Sequence, residues 1–348
     1  MLIQEFDYDL PPELIAQQPT DRRGDSRMMV VRRRERTIEH ARFEDFPERM
    51  SAGDLLILND TRVIPARVWG KRGEADVEFL FVRELEPGVW EALCRPARKV
   101  RDGERIVFAP GINALVAGEG TEGLRTLLFG RSDVLAVLRE IGYAPLPPYI
   151  KRPKGREALR SGDLRARDLE RYQTVFARND GAIAAPTAGL HFTPRTLSGV
   201  RKRGVDVRKV TLEVGVATFQ PVRATRVEDH QMLEERYEVL PAAARAINAA
   251  KAEGRPVVAV GTTVVRTLES AAGEGGVRSG KGATSLFIRP GFEFRAVDRL
   301  LTNFHLPKST LLMLVSAFAG VDLIRHAYRE AVRERYRFFS YGDCMLIL

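Results

Sequence analysis

Hydrophobic residues along this chain are spaced in three distinct ways. GDLLILND, from Gly53 to Asp60, is a continuous apolar run closed by a polar turn, which predicts a short buried strand. Short apolar runs follow at regular intervals: VIPARVWG, ADVEFLFV, VWEALCRP, ERIVFAP, INALVAG and LRTLLFG. Turn signals such as Glu86-Pro87-Gly88 and Asp102-Gly103 separate them. About six short strands with no helix among them predict a small antiparallel β-barrel or sandwich over roughly Val63 to Gly130. SDVLAVLREIG then predicts a helix, with Ser132 as its N-cap and Gly142 as its C-cap. The next stretch is Pro-rich and then charged, with eight basic and four acidic residues between Lys151 and Arg171. It reads as a linker or exposed loop.

From Gln173 onward the third spacing sets in, and strands alternate with helices. AIAAP, VDVRKVTLEVG, PVVAVG, SLFI and LLTNFH read as strands. PAAARAINAAKAEG reads as a helix with Pro241 near its start and Gly254 past its end. TTVVRTLESAAG and STLLMLVSAFAG read as helices too; the second is apolar all round and so belongs inside. IRHAYREAVRERYR is amphipathic. Alternation of this kind predicts an α/β domain. GDLLILND has no sheet partner among the short strands. The expected architecture is therefore a mixed-sheet α/β domain, discontinuous in sequence (1–62 and 150–348), with a small antiparallel β-barrel inserted at 63–149.

Composition narrows the function. The chain has 348 residues, 44% hydrophobic and 29% charged, as soluble globular proteins do. LLMLVSAFAG, from Leu311, is far short of the roughly 20 residues a spanning helix needs. The N-terminal stretch is acidic and interrupted by Pro11 and Pro12, unlike a signal peptide. Cys94 and Cys344 form no CxxC pair, which argues against a disulfide scaffold and fits a reducing cytoplasm. The formal net charge of +9 suits a polyanionic partner. However, only nine of the 55 basic residues are Lys, and such an Arg excess also follows from a GC-rich genome.

Several polar positions at strand ends are candidates for chemistry. AVGTTVVRTLES is a strand, a turn and a helix, and Gly261, Thr262 and Thr263 can offer N–H groups to a phosphate or carboxylate. It is neither a Walker A loop nor a GxGxxG dinucleotide site. LLTNFHLPKSTLLML ends a strand at Asn303 and His305, and Ser309 caps the helix that follows. Lys308 sits at the positive end of that helix, which points to an anionic ligand or to a solvated side chain. Among five histidines none forms HExxH or a zinc-like pair, so no metal is expected. His191 and His305 both fall at predicted strand ends, where α/β folds place their sites. Glu213 stands inside an apolar strand, either as a perturbed acid or base or as a solvent-facing residue. Asp60, Arg62 and Arg67 follow the first strand; Arg forks suit carboxylates and phosphates, and an Asp–Arg structural pair is equally consistent.

The segments DYDLPPELIAQQP, GDLLILNDTRVIPAR, PLPPYI, RYQTVFA, AAPTAGLHFT, VTLEVGVATFQPVR, VAVGTTVVRTLESAA, LLTNFHLPKSTLLMLVSAFAG and YRFFSYGDCMLI run through nearly the whole chain. In that order they closely resemble the S-adenosylmethionine:tRNA ribosyltransferase-isomerases of queuosine biosynthesis. The resemblance implies transfer and isomerisation of the ribosyl part of S-adenosylmethionine onto preQ1 at the tRNA wobble position. Epoxyqueuosine-tRNA would form, with adenine and methionine released. It implies no cofactor beyond S-adenosylmethionine as ribosyl donor, no metal, and a monomeric enzyme acting on tRNA. On this reading His191, Glu213 and His305 are the proton-transfer candidates. Asp60, Arg62, Thr187, Gly261, Thr262, Arg266, Lys308 and Ser309 would bind substrate. Lys151, Arg152, Arg201, Lys202 and Arg203 would contact tRNA. Two departures stand out: Leu233 occupies a position where the family usually has His, and the stretch between PPYI and RYQT is longer than usual. The alternatives are another S-adenosylmethionine-dependent tRNA-modifying enzyme, a methyltransferase, and a non-catalytic RNA-binding protein.

Overall fold

The structure is a computed structural model and describes residues 1–120, 123–152, 162–215 and 224–348. In chain order its strands are β1 (Arg27–Arg32), β2 (Thr37–Arg42), β3 (Leu55–Asn59), β4 (Thr61–Val63), β5 (Arg67–Arg72), β6 (Ala75–Glu86), β7 (Val89–Arg95), β8 (Arg105–Ala109), β9 (Ile112–Glu119) and β10 (Leu124–Phe129). They continue with β11 (Asn179–Ala182), β12 (Asp206–Leu212), β13 (Glu235–Val239), β14 (Val257–Val260), β15 (Ala272–Gly273), β16 (Gly276–Val277), β17 (Gly280–Thr284), β18 (Arg299–Asn303) and β19 (Cys344–Ile347). The α-helices are α1 (Val134–Ile141), α2 (Gly162–Arg171), α3 (Pro194–Lys202), α4 (Pro241–Ala252), α5 (Thr262–Ala271), α6 (Thr310–Ala319) and α7 (Val321–Arg333). Two compact units form. The first is Met1–Thr61, Thr174–Asn179 and Ala185–Leu348; the second is Arg62–Gln173 and Asp180–Ala184.

The first unit is built on a nine-stranded mixed sheet, ordered β17-β13-β12-β3-β14-β18-β19-β1-β2. Its centre, β12, β3, β14 and β18, is parallel. Every residue of β3 is buried, because both faces of the sheet are covered. On one face Met28, Leu56, Leu58, Val258 and Leu346 pack against Phe43, Phe46 and Met50. Phe192 and the helix α3, through Leu197 and Val200, complete that layer. Phe43, Phe46 and Phe192 pack ring on ring, with centroids 5.0–5.4 Å apart. α4 begins at Pro241, whose fixed φ suits a first helical position. In α6 Leu312 to Ser316 are buried, as its apolar circumference requires. Among the described residues no single helix is long and apolar enough to cross a membrane.

The second unit contains a closed barrel of six antiparallel strands, ordered β10-β7-β6-β5-β8-β9. Alternate residues point inward, so Val77, Phe79 and Phe81 of β6 meet Ala92, Ile106 and Phe108 in the interior. Gly70 makes this possible. A Cβ there would lie 2.6 Å from Ile106 and 3.0 Å from Phe108, so the ring of Phe108 needs the space.

Local structure departs from the sequence reading at several places. Asp133, not Ser132, is the N-cap of α1, and its carboxylate bonds Arg131 instead of the helix. Of the charged stretch, residues 153–161 lie outside the described residues, while 162–171 form α2. α2 is no loop, because Arg165 donates to the carbonyls of Arg139, Glu140 and Gly142 at the end of α1. The second unit accordingly takes in α2, which the sequence reading assigns to the α/β domain. SLFI lies beyond β17, where Leu286 is held by Thr284 Oγ1 and Arg266 instead of a neighbouring strand. In AIAAP only Ala182 belongs to a strand, β11.

Phe192 is fully buried among three aromatic rings. Phe192→Ala is therefore expected to destabilise the first unit by about 3–5 kcal/mol. Urea unfolding followed by near-UV circular dichroism will measure it, and an unchanged midpoint would show that this aromatic layer does not hold the sheet.

Candidate active site

The parallel strands β3, β12, β14 and β18 all end at one edge of the sheet, the edge where α/β folds bind ligands. Polar residues gather there. Asn59, at the end of β3, is 1% exposed, and all four of its amide hydrogen-bonding positions are filled. Its Nδ2 donates to Leu212 O (3.1 Å) and Thr263 Oγ1 (3.3 Å). Its Oδ1 accepts from the N–H groups of Thr61 and Leu212, each at 3.1 Å. Asp60 is bound up similarly: Oδ1 accepts from Thr211 Oγ1 at 2.7 Å and Asn179 Nδ2 at 3.1 Å. Gly261, N-cap of α5, has φ +90° and gives its N–H to Leu301 O at 2.7 Å. That left-handed backbone favours glycine. Thr262 is buried at the first position of α5.

His191 does not end a strand. It closes a single 3₁₀ turn, Thr187–His191, entered through Pro186. A Cβ on Gly189 would lie 2.8 Å from Phe176 and 2.9 Å from Thr174, so the turn depends on that glycine. The imidazole packs 5.3 Å from Phe43. Its Nδ1 lies 2.8 Å from Ser26 Oγ and its Nε2 3.3 Å from Asn303 Nδ2. Asn303 Nδ2 also donates to Phe339 O at 3.0 Å, so the amide nitrogen must face this way. Nε2 of His191 is then an acceptor, and its proton sits on Nδ1. Burial pulls the pKa of His191 down to about 4.

His305 lies just past β18 and is also buried. Its Nε2 is 2.8 Å from Thr302 Oγ1, and its backbone N–H donates to Tyr328 Oη at 2.9 Å. Tyr8 Oη donates to its carbonyl at 2.5 Å. Burial alone lowers its pKa to about 3. Both rings are neutral at pH 7, with hydrogen bonds from ring nitrogens to fixed partners.

Glu213 follows the end of β12 instead of standing inside it, because β12 stops at Leu212. It is partly exposed, and its N–H donates to Arg236 O at 2.9 Å. Its carboxylate has no hydrogen-bond or ion-pair partner among the described residues.

Three cations expected to meet substrate or RNA are engaged within the fold. Arg266 forms a buried ion pair with Glu235, their side chains 6% and 3% exposed, and donates to Leu286 O and Thr284 O. Lys308, at φ +57°, reaches Asp7 at 2.9 Å and holds that carboxyl below its usual range. The anion at the start of α6 is thus part of the chain itself. Arg152 makes two 2.8 Å bonds to the buried carboxylate of Asp168. Ser309 acts as a cap: its Oγ accepts from Leu312 N–H at 3.2 Å and donates to Leu306 O at 2.7 Å. Thr187 is partly exposed at the start of the 3₁₀ turn, Arg62 is exposed on β4, and Lys151 is exposed. Arg201, Lys202 and Arg203 are exposed at the end of α3. Leu233 is 46% exposed, a surface position.

Sequence reasoning missed Ser26, Thr302 and Glu235. Ser26 is 165 residues from His191 and carries no local signal. Glu235 shares a strand face with the buried Val239, and that period was a usable sign of an inward carboxylate.

A cavity of about 900 Å³ opens at the other edge of the sheet, by Ser51, Pro256 and Arg299. Four of its cations are met internally: Arg49 by Glu39, Lys251 by Asp298, Arg255 by Glu253 and Arg299 by Asp54. Among the described residues no three His, Cys, Asp or Glu side chains cluster as metal ligands would.

A family profile described as "Queuosine biosynthesis protein" matches residues 3–347. S-adenosylmethionine:tRNA ribosyltransferase-isomerases from Moorella thermoacetica, Thermotoga maritima and Symbiobacterium thermophilum are 49%, 48% and 51% identical to the chain. Each match covers 100% of both sequences. The crystal structure of an S-adenosylmethionine tRNA ribosyltransferase from Thermotoga maritima, at 2.00 Å resolution, is similar with a TM-score of 0.55 and 39% identity. That match covers 99% of this chain and 100% of the other.

The two neutral histidines make stability depend on pH. Unfolded, each titrates near about 6.5. Below that value the unfolded chain binds protons that the folded protein refuses, so stability falls as pH falls toward about 4 for His191 and about 3 for His305. The loss approaches about 1.4 kcal/mol per pH unit for each histidine. Urea unfolding at pH 7.5 and pH 5 is expected to show it, with a smaller loss in His305→Gln. Equal losses in both proteins would contradict the neutral buried ring.

Proposed function

The chain belongs to the queuosine biosynthesis family, and on that premise we propose that it is an S-adenosylmethionine:tRNA ribosyltransferase-isomerase. It moves the ribosyl part of S-adenosylmethionine to the aminomethyl group of preQ1 at the tRNA wobble position. The carrying observation is identity near one half over the full length to enzymes with that name. S-adenosylmethionine is consumed as a substrate. In the reaction a base removes a proton from the carbon beside the sulfonium, giving an ylide, and adenine leaves. The tRNA amine attacks the sugar, and epoxide closure expels methionine.

Of the three proton-transfer candidates, Glu213 best fits the base. A base needs an accessible lone pair, and Glu213 alone of the three presents a carboxylate without a partner among the described residues. His191 has its Nε2 lone pair directed at Asn303, and His305 is tied to Thr302. They act as positioning residues that hold the 3₁₀ turn and the end of β18. Thr187 and Thr262 remain as substrate contacts; Gly261, Arg266, Lys308, Ser309 and Asp60 support the edge from within. The exposed cations Arg201, Lys202 and Arg203 face tRNA phosphates.

Mixing the protein with S-adenosylmethionine and preQ1-bearing tRNA is expected to release adenine in step with tRNA modification. Glu213→Gln should lower kcat by about 10²-fold or more with little change in either KM. Absence of adenine while tRNA binds would overturn the function. S-adenosylhomocysteine in its place would indicate methyl transfer, and unchanged kcat in Glu213→Gln would remove the assigned base.

A further inference from the structure

The connection between β7 and β8 carries Arg95, Arg98, Lys99, Arg101 and Arg105, all exposed. None of them has a carboxylate within ion-pair distance among the described residues. Elsewhere in the second unit, among the described residues, five cations are each answered by a carboxylate: Arg83 by Glu91, Arg125 by Glu119, Arg131 by Asp133, Arg139 by Asp180 and Arg152 by Asp168. The connection holds two acids of its own. Glu104 is engaged by Arg72 and by the N–H of Arg101, which leaves Asp102 against five cations. An Arg excess from genome composition would fall on paired and unpaired positions alike. It does not account for five cations gathered around a single unengaged acid.

The connection is also built to hold its shape. Arg125, 6% exposed, lies beneath it and donates to Val100 O at 2.7 Å, Ala97 O at 3.0 Å and Leu124 O at 2.8 Å. Arg72 donates to Lys99 O at 3.0 Å. Ala97–Lys99 form a 3₁₀ turn, and Val100 behind it is fully buried. The backbone is fixed by buried guanidinium bonds while the charged side chains stand in solvent. Five like charges in 11 positions repel one another, and a polyanion relieves that repulsion by releasing its counterions.

We infer that this connection is a phosphate-contact surface for the RNA substrate. The inference rests on the tRNA reading above and adds a surface of the second unit to it. Arg and Lys side chains there meet backbone phosphates, so the contact is insensitive to base sequence and sensitive to salt.

The test is tRNA affinity over a range of salt for wild type and for the full-length triple variant Arg98→Gln, Lys99→Gln, Arg101→Gln. The expected result is a slope of log affinity against log salt smaller by about 2–3. Affinity near 0.1 M salt should fall by about tenfold or more, with KM for S-adenosylmethionine and kcat at saturating tRNA unchanged. A control of equal charge, Lys71→Gln, Arg83→Gln, Arg131→Gln, removes paired cations of the same unit and should leave the slope in place. Arg98→Lys with Arg101→Lys should retain the wild-type slope, since charge and not fork geometry sets it. An unchanged slope in the first variant, or an equal drop in the control, would overturn this surface alone. A wild-type protein with no tRNA binding would overturn the enclosing function as well, and that outcome needs no variant to recognise.

Discussion

Asn59 is the constraint on which the rest of the first unit hangs. It ends the central strand β3, buried, at the point where the chain leaves the sheet. A buried amide left short of partners costs about 1–3 kcal/mol per unmet group. Asn59 meets all four positions by reaching β12 through Leu212, α5 through Thr263, and its own chain at Thr61. Asp60 then catches the returning chain, its carbonyl taking the N–H groups of Arg178 and Asn179. Two adjacent polar residues thus set the spacing of β3, β12 and α5, and with it the edge where Glu213 and Gly261 stand.

The same logic separates groups that hold the site from groups free to act. Burial with each polar side-chain atom hydrogen-bonded marks a holding residue: Asn59, His191 and Arg266 all have it. Partial exposure with an unmatched carboxylate marks Glu213. Lys308 shows how easily the two are confused. A cation at a helix N-terminus is unfavourable by itself. Asp7 resolves that within the chain, 301 positions earlier, and a ligand is not needed to explain it.

Much of the architecture was legible because it is written in local spacing. The all-apolar Leu55–Leu58, the alternation in Ala75–Val82, the helix-opening Pro241 and the cap at Ser309 each announce their element within a few residues. The departures came where a distant partner decides. SLFI has strand composition, yet Leu286 is claimed by Arg266. The apolar approach to His191 suggested a strand end, but Pro186 and Gly189 turn it into a 3₁₀ helix. Residue type at the site was readable; protonation state and availability were not, since Ser26, Asn303 and Glu235 fix them from other parts of the chain.

The interrupted first unit also has a consequence for biosynthesis. The barrel strands β5 to β10 are consecutive, so the barrel can close soon after they emerge from the ribosome. The α/β sheet cannot. Arg27 donates its N–H to the carboxylate of Asp343, 316 residues later, and β1 pairs with β19 beside that bond. At about 5–20 residues per second β1 waits roughly 15–60 s for β19, and β3 roughly 7–30 s for β12. Over those intervals Met28–Val31, with β2 alone as a neighbour, and Leu55–Leu58 present open strand edges. The nascent chain is therefore a natural client for chaperones until its last strand arrives.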